Sequence, residues 1–127
     1  MKSGLIKSYK DLIVWQKALQ LVFAVYKLTE QFPDTEKFGL ISQMRRSAVS
    51  IPSNIAEGSR RGGRKEFNYF LSVVFSSGAE LKTQMEIAKS LSFGINSEHL
   101  RVNSLLEEVM KMLNILISKI SNSSTTY

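Results

Sequence analysis

The sequence lacks the residues on which several classes of small protein depend. None of its 127 residues is cysteine, so neither a disulfide framework nor a thiolate metal site can form. His99 is the one histidine, and no second ligand follows it at the spacing of a helical metal site, which predicts no metal and no cofactor. Because that histidine would also have to be the base of any serine nucleophile, we expect a protein that is not an enzyme.

Long apolar runs are also missing. No uncharged stretch approaches the roughly 20 residues of a membrane span, and the first ten residues carry no apolar run of signal-peptide length. We therefore expect a cytoplasmic protein with no membrane partner. Acidic residues are few relative to basic ones, 11 against 17, and the net charge of +6 favours encounters with polyanions.

Four amphipathic segments account for nearly all of the chain. Helices are predicted over residues 10–31, 36–60, 64–91 and 97–120. A proline or glycine interrupts the apolar periodicity between each segment and the next. The polar residues 121–127 are aperiodic, and we expect them to form a frayed tail. This pattern predicts an all-α protein, a single antiparallel up-down-up-down four-helix bundle over residues 1–127.

Apolar residues at helical spacing predict the core. The predicted stripes are, in chain order, Leu12, Trp15, Leu19, Val22, Tyr26 and Thr29, widened by Ala18 and Val25; Met44, Ala48, Ile51 and Ile55; Phe67, Phe70 or Leu71, Val74, Leu81, Met85 and Ala88; and Leu106, Val109, Leu113, Leu116 and Ile120. Pro52 lies inside the second helix and removes an amide from its hydrogen-bond ladder, so we expect a kink there.

A polar row runs along the opposite side of the second helix. It comprises Arg46, Ser50, Ser53 or Asn54, and Glu57, which are mostly small and uncharged. Such a row is either a solvated face or a polar network that lets another backbone approach, for which the small residues 76–79 are one candidate. We predict a network of Arg45, Arg46, Ser50, Asn54, Glu57 and Glu80, in which Glu80 pairs with Arg45 or Arg46. A helix with two such faces also indicates self-association, as an oligomer of unknown order.

One stretch of the second helix resembles the signature of a known family. Gln-Met-Arg-Arg at 43–46 and Ser-Ile-Pro-Ser-Asn-Ile-Ala-Glu-Gly at 50–58, with Arg61 beyond, are similar to the 23S rRNA-intervening sequence proteins, also called S23 ribosomal proteins. The likeness extends over about residues 9–120. It implies a four-helix bundle that forms a ring-like homopentamer. It also favours a nucleic-acid role, because these proteins are encoded within intervening sequences of ribosomal RNA and resemble an accessory protein of diversity-generating retroelements.

A basic cluster occupies the predicted turn between the second and third helices. Arg60, Arg61, Arg64 and Lys65 place four positive charges within six residues around two glycines. Such a turn can contact phosphates, and a ring would repeat it around one rim. Arg61 can instead pair with Glu57, one turn earlier, so the other three are the better phosphate ligands. The alternative is a turn whose charges only improve solubility.

Two functions remain open from the sequence. The first is a non-catalytic oligomer that binds the backbone of RNA or DNA. The sequence shows no stacking aromatics near the basic turn, which argues against sequence-specific recognition of single strands. The second is a protein–protein scaffold or accessory subunit whose positive turn binds an acidic partner.

Overall fold

Four α-helices pack side by side in the computed structural model, which describes the backbone of residues 8–124 and the side chains of residues 8–120. The helices are α1 (Ile13–Thr29), α2 (Leu40–Arg60), α3 (Arg64–Ser90) and α4 (Asn96–Ser124). Within the described range there is no β-strand. Both α2 and α4 lie against α1 and α3, so the all-α class and the four-helix bundle are confirmed.

The helix ends differ from the predicted ones for local reasons. A 3-10 turn over Tyr9–Asp11 precedes α1, and the extended backbone of Leu12 (ψ 124°) separates the two. A second 3-10 turn, Asp34–Glu36, precedes α2, because Gly39 (φ −112°, ψ −111°) is not helical. Helix α4 ends at Ser124 and not at the predicted residue 120, because residues 121–124 contain no glycine or proline that would stop it, and the fraying of this tail stays a prediction. Residues 125–127 lie outside the described part of the chain.

The core confirms the predicted stripes of α2, α3 and α4 and most of the stripe of α1. In α2 the predicted Met44, Ala48, Ile51 and Ile55 are all fully buried. In α3 and α4 the predicted stripe residues are buried or packed partly buried against the core, except that of the Phe70–Leu71 alternatives Leu71 is the fully buried one. In α1 the stripe is only partly right, because Tyr26 is 39% exposed and the fully buried Leu21 and Leu28 lie outside it. Its other members are mostly buried or packed against the core: Ala18, Val22, Val25 and Thr29 are buried, and Leu12 and Trp15 are partly buried. The sequence of α1 is apolar on nearly all sides, so its periodicity does not select one face.

The close approach of α2 to α3 sets the register of this pair. A Cβ at Gly58 of α2 would lie 2.7 Å from Phe70 Cβ and 3.0 Å from Phe67 Cδ1 of α3. Two turns earlier in α2, Ser50 Oγ lies 2.7 Å from Ser77 Oγ, which is further along α3. The contacts therefore run in opposite order along the two helices, with the small residues of α2 facing α3.

Two ion pairs give the same opposite order for α1 and α4. Lys17 pairs with Glu108 at 3.5 Å, and Lys27 pairs with Glu98 at 3.6 Å. The helix α2 runs without interruption through Pro52, and the bend expected there stays a prediction, as does the alternation of direction through all four helices.

Arg45 connects α2 to α1. Its Nε donates a hydrogen bond of 2.9 Å to Oγ1 of Thr29, a buried hydroxyl that itself donates to the carbonyl of Val25. The Arg45 guanidinium also lies 4.3 Å from the centroid of the Tyr26 ring, a cation–π contact. Its neighbour Arg46 is exposed.

We expect the buried glycines of α2 and α3 to respond differently to an added methyl group. In Gly58→Ala the methyl group meets the Cβ of Phe70, which cannot move without its helix, so the variant should be destabilised by about 1–2 kcal/mol. In Gly78→Ala the methyl group meets the mobile end of Met110, at 2.8 Å from Cε. This variant should match the parent or gain up to about 1 kcal/mol from helix propensity. Urea unfolding of both variants checks the difference, and equal free energies would contradict it.

A second pair of variants compares neighbouring arginines. Arg45→Ala should lower the free energy of unfolding by about 1–2 kcal/mol, because it removes the bond to Thr29 and the cation–π contact with Tyr26. Arg46→Ala should stay within about 0.5 kcal/mol of the parent, because an exposed side chain contributes little. Thermal and urea unfolding measure both, and a larger loss for Arg46→Ala would show that Arg46 is buried in a contact.

Candidate functional site

The turn between α2 and α3 contains only three residues. Arg61 keeps helical dihedral angles after the end of α2, Gly62 has a φ of +84°, and Gly63 is extended before α3 begins at Arg64. The positive φ of Gly62 is the conformation that glycine adopts without steric cost, and it ends α2 abruptly. No described atom lies within 4 Å of where a Gly62 Cβ would be, so the turn is open as far as the described residues reach.

This turn gathers all four predicted cations at one end of the α2–α3 hairpin. Arg60, Arg61, Arg64 and Lys65 are each exposed. Because only Gly62 and Gly63 separate the two arginines of α2 from the two cations of α3, their positive charges lie at one surface. We call these four side chains the basic turn. Glu66 is the acidic residue in the first turn of α3.

Arg61 makes two contacts within the protomer. Its Nε donates a 2.8 Å hydrogen bond to Glu57 Oε2, one helical turn earlier, and both side chains are about half exposed. The Arg61 guanidinium also lies 5.1 Å from the centroid of the Phe70 ring. The pair with Glu57 that the sequence predicts is therefore present, and it offsets the charge of Arg61. Arg60, Arg64 and Lys65 are the other exposed cations of the basic turn.

Three aromatic residues lie beside the basic turn, and the site predicted from the sequence does not include them. Phe67 and Phe70 are half-buried against Gly58, whereas Tyr69 is 63% exposed. The statement that no stacking aromatic lies near the turn is therefore wrong. The apolar stripe of α3 contains Phe67 and Phe70 as core candidates and does not contain Tyr69, which falls between them. The signal that identifies it is spacing, because Tyr69 follows Lys65 by four residues and so shares its side of α3.

The predicted polar network is divided among three separate contacts. Asn54 Nδ2 donates to the Ser50 carbonyl at 2.8 Å and to Ser50 Oγ at 2.9 Å, and Ser50 meets Ser77 of α3. Glu57 belongs to the basic turn, through Arg61. Arg45 belongs to the contact with α1.

The predicted ion pair of Glu80 with Arg45 or Arg46 is not formed among the described side chains. Arg45 turns toward Thr29 on α1, and both Arg46 and Glu80 are exposed. Of the polar row, Ser50 meets α3 of the same protomer, whereas Arg46, Ser53 and Glu57 are exposed. The contact of Ser50 is therefore made within one protomer and does not itself indicate self-association.

The remaining sequence candidates show no further site. His99 is buried, with Nε2 2.8 Å from the carbonyl oxygen of Phe93. Within residues 8–120, no three histidine, aspartate or glutamate side chains are grouped as a metal site requires. None of the helices in the described part of the chain is long and apolar enough to span a membrane.

Comparisons with known proteins agree with the fold. The chain is similar in structure to a protein of unknown function of the S23 ribosomal protein family from Bacteroides thetaiotaomicron, with a TM-score of 0.73 and 22% identity. That likeness covers 83% of this chain and 98% of the other. No functionally curated protein matches the chain. Residues 10–115 match the profile of the 23S rRNA-intervening sequence proteins. The protein therefore belongs to the 23S rRNA-intervening sequence protein family.

Proposed function

We propose that this protein is a non-catalytic, cytoplasmic homo-oligomer that binds the backbone of RNA or DNA through the basic turn. The observation that carries the proposal is the exposure of Arg60, Arg64 and Lys65 at one three-residue turn. Arginine and lysine side chains at such a surface are suited to phosphate oxygens, since arginine can donate two parallel hydrogen bonds and lysine supplies a compact charge. The net charge of +6 adds a general attraction for polyanions.

The contacts of this turn are of the kind that position a nucleic acid without reading its sequence. Phosphate contacts depend on charge and spacing, and they release counterions, so binding weakens as salt rises. Three exposed cations per protomer bind weakly alone. A ring would place several copies of the turn on one rim, and contacts made to the same strand would then add.

We include a homopentamer in the proposal, as the family resemblance implies. Exposed apolar side chains on the protomer support an assembly: Phe23, Ile13, Leu100 and Ile115 are 54–64% exposed on α1 and α4. Burial of such side chains between copies would stabilise an oligomer.

A protein–protein scaffold is the second candidate. Phe38 is 91% exposed before α2, and Leu91 and Ile95 are more than half exposed in the connection between α3 and α4. This apolar surface lies at the end of α2 opposite to the basic turn and fits a protein partner better than a nucleic acid. In this alternative the basic turn binds an acidic protein partner, and any nucleic-acid binding is incidental.

A salt series with matched variants tests the nucleic-acid proposal. We expect the parent to bind RNA or duplex DNA with an affinity that falls linearly in log salt. Replacing Arg60, Arg64 and Lys65 by alanine should reduce the magnitude of that slope by about 2–3 per bound protomer, because each lost phosphate contact removes about 0.7–0.9. Fluorescence anisotropy at salt concentrations from roughly 50 to 200 mM measures this slope.

The control is a triple alanine variant of Arg46, Lys89 and Arg101. Like the triple variant of the turn, it replaces two arginines and one lysine, but at exposed positions away from the turn. The net charge therefore falls by three in both variants. The control should keep most of the slope of the parent. Equal losses in the two variants would show that general charge, not the basic turn, causes binding. A parent that binds neither RNA nor DNA would favour the scaffold.

The assembly is tested by mass. Light scattering should give five times the 14.3 kDa of one protomer. We expect the same mass for the triple alanine variant of Arg60, Arg64 and Lys65, because these three side chains are exposed. A mass of one protomer at micromolar concentration would contradict the oligomer.

A further inference from the structure

One aromatic ring beside the basic turn is in position to bind a base. Tyr69 is 63% exposed and follows Lys65 by four residues on α3, about 6 Å along the helix axis. The amine and the ring therefore lie on the same exposed side of one helix. A single nucleotide is long enough to place its phosphate on the amine and its base on the ring.

The Tyr69 ring packs against the ring of Phe70, its neighbour on α3. It lies edge-on to Phe70, with 5.1 Å between ring centroids and an interplanar angle of 81°. Phe70 is itself held between Gly58 of α2 and the guanidinium of Arg61. A ring that is already held in place loses little conformational freedom when a ligand stacks on it, so less of the stacking energy is offset.

A single exposed aromatic residue is ordinary on a protein surface. What distinguishes Tyr69 is its charge environment, in which cations outnumber the one nearby carboxylate in sequence: Arg64, Lys65 and Glu66 lie on the preceding turn of the same helix, and Arg60 lies across the connection. Phe38 is even more exposed, and Lys37 Nζ lies 5.7 Å from the centroid of its ring. However, the acidic residues Asp34 and Glu36 precede it, and it lies at the end of α2 far from the basic turn. The combination of an open ring with several cations therefore points to a base carried on a phosphate backbone.

We propose that Tyr69 is a stacking platform for an unpaired base of single-stranded RNA or DNA whose phosphates lie on Arg64 and Lys65. This inference rests on the proposed function and specifies its ligand. In a duplex the bases are stacked on one another and unavailable to the ring, whereas a single strand can turn a base outward. The site therefore favours single strands over duplexes and accepts any base, because every base offers a flat face.

The test compares two fluorescent single strands of equal length and charge, one of oligothymidine and one of abasic residues. The parent should bind oligothymidine more tightly. Tyr69→Ala should weaken oligothymidine binding by roughly fivefold or more and leave abasic binding unchanged, since stacking on one ring accounts for at least that factor. Tyr69→Phe should retain the affinity of the parent, because the ring remains. Phe38→Ala, which removes the exposed aromatic ring far from the basic turn, should change neither affinity.

The outcomes separate the stacking site from the phosphate site. A parent that binds both strands equally, with no effect of Tyr69→Ala, overturns stacking and leaves phosphate binding standing. A parent that binds neither strand overturns both. Equal weakening of both strands by Tyr69→Ala, or a changed mass of that variant in light scattering, shows that Tyr69 supports the fold or a contact between copies and overturns the base site.

Discussion

The absence of a side chain at Gly58 determines the surface on which the proposed function depends. Because that position of α2 has no Cβ, the Phe70 ring of α3 can lie directly against the helix. Phe70 then supports the Arg61 guanidinium on one side and the Tyr69 ring on the other. A methyl group at residue 58 would move α2 and α3 apart. It would therefore also shift Arg61 and Glu57 on α2 relative to the aromatic rings on α3. One packing contact therefore positions groups with quite different chemistry.

The parts of the fold that could be predicted are those where apolar and polar residues differ most. In α2, Ile51 and Ile55 are apolar and the opposite row is small and polar, so the buried side follows from periodicity alone. In α1 the residues around Leu21 and Leu28 are apolar on almost every side, and the choice of core face depends on where α2 and α4 lie. That information is not local, so the predicted stripe includes the exposed Tyr26 and omits the buried Leu21 and Leu28, although half of its members are buried.

The candidate site shows the same division. The cluster of Arg60, Arg61, Arg64 and Lys65 follows from glycine and charge alone, since Gly62 and Gly63 must end a helix and expose what surrounds them. The partner of Arg45 could not be chosen in this way, because Thr29 and Glu80 are both distant in sequence and only the packed structure brings one of them within 2.9 Å. Periodicity places Phe67 and Phe70 in the core, and their partial burial lets them contact both the core and the surface. Tyr69 belongs to no core stripe and is 63% exposed.

The Ser50–Ser77 contact has a consequence for how this protein opens. Together with Gly58 it fixes the register of α3 on α2. A shift of α3 by one turn along α2, toward the start of α2, would break the hydroxyl contact and place Phe70 opposite a larger side chain than Gly58. The more open contact of α3 with α4, by contrast, leaves a cleft of about 750 Å³ lined by Phe75 and Met110. Local unfolding begins where packing is least extensive. Helix α4 should therefore detach before α2 and α3 part, so that the turn keeps its shape through fluctuations that disturb the rest of the bundle.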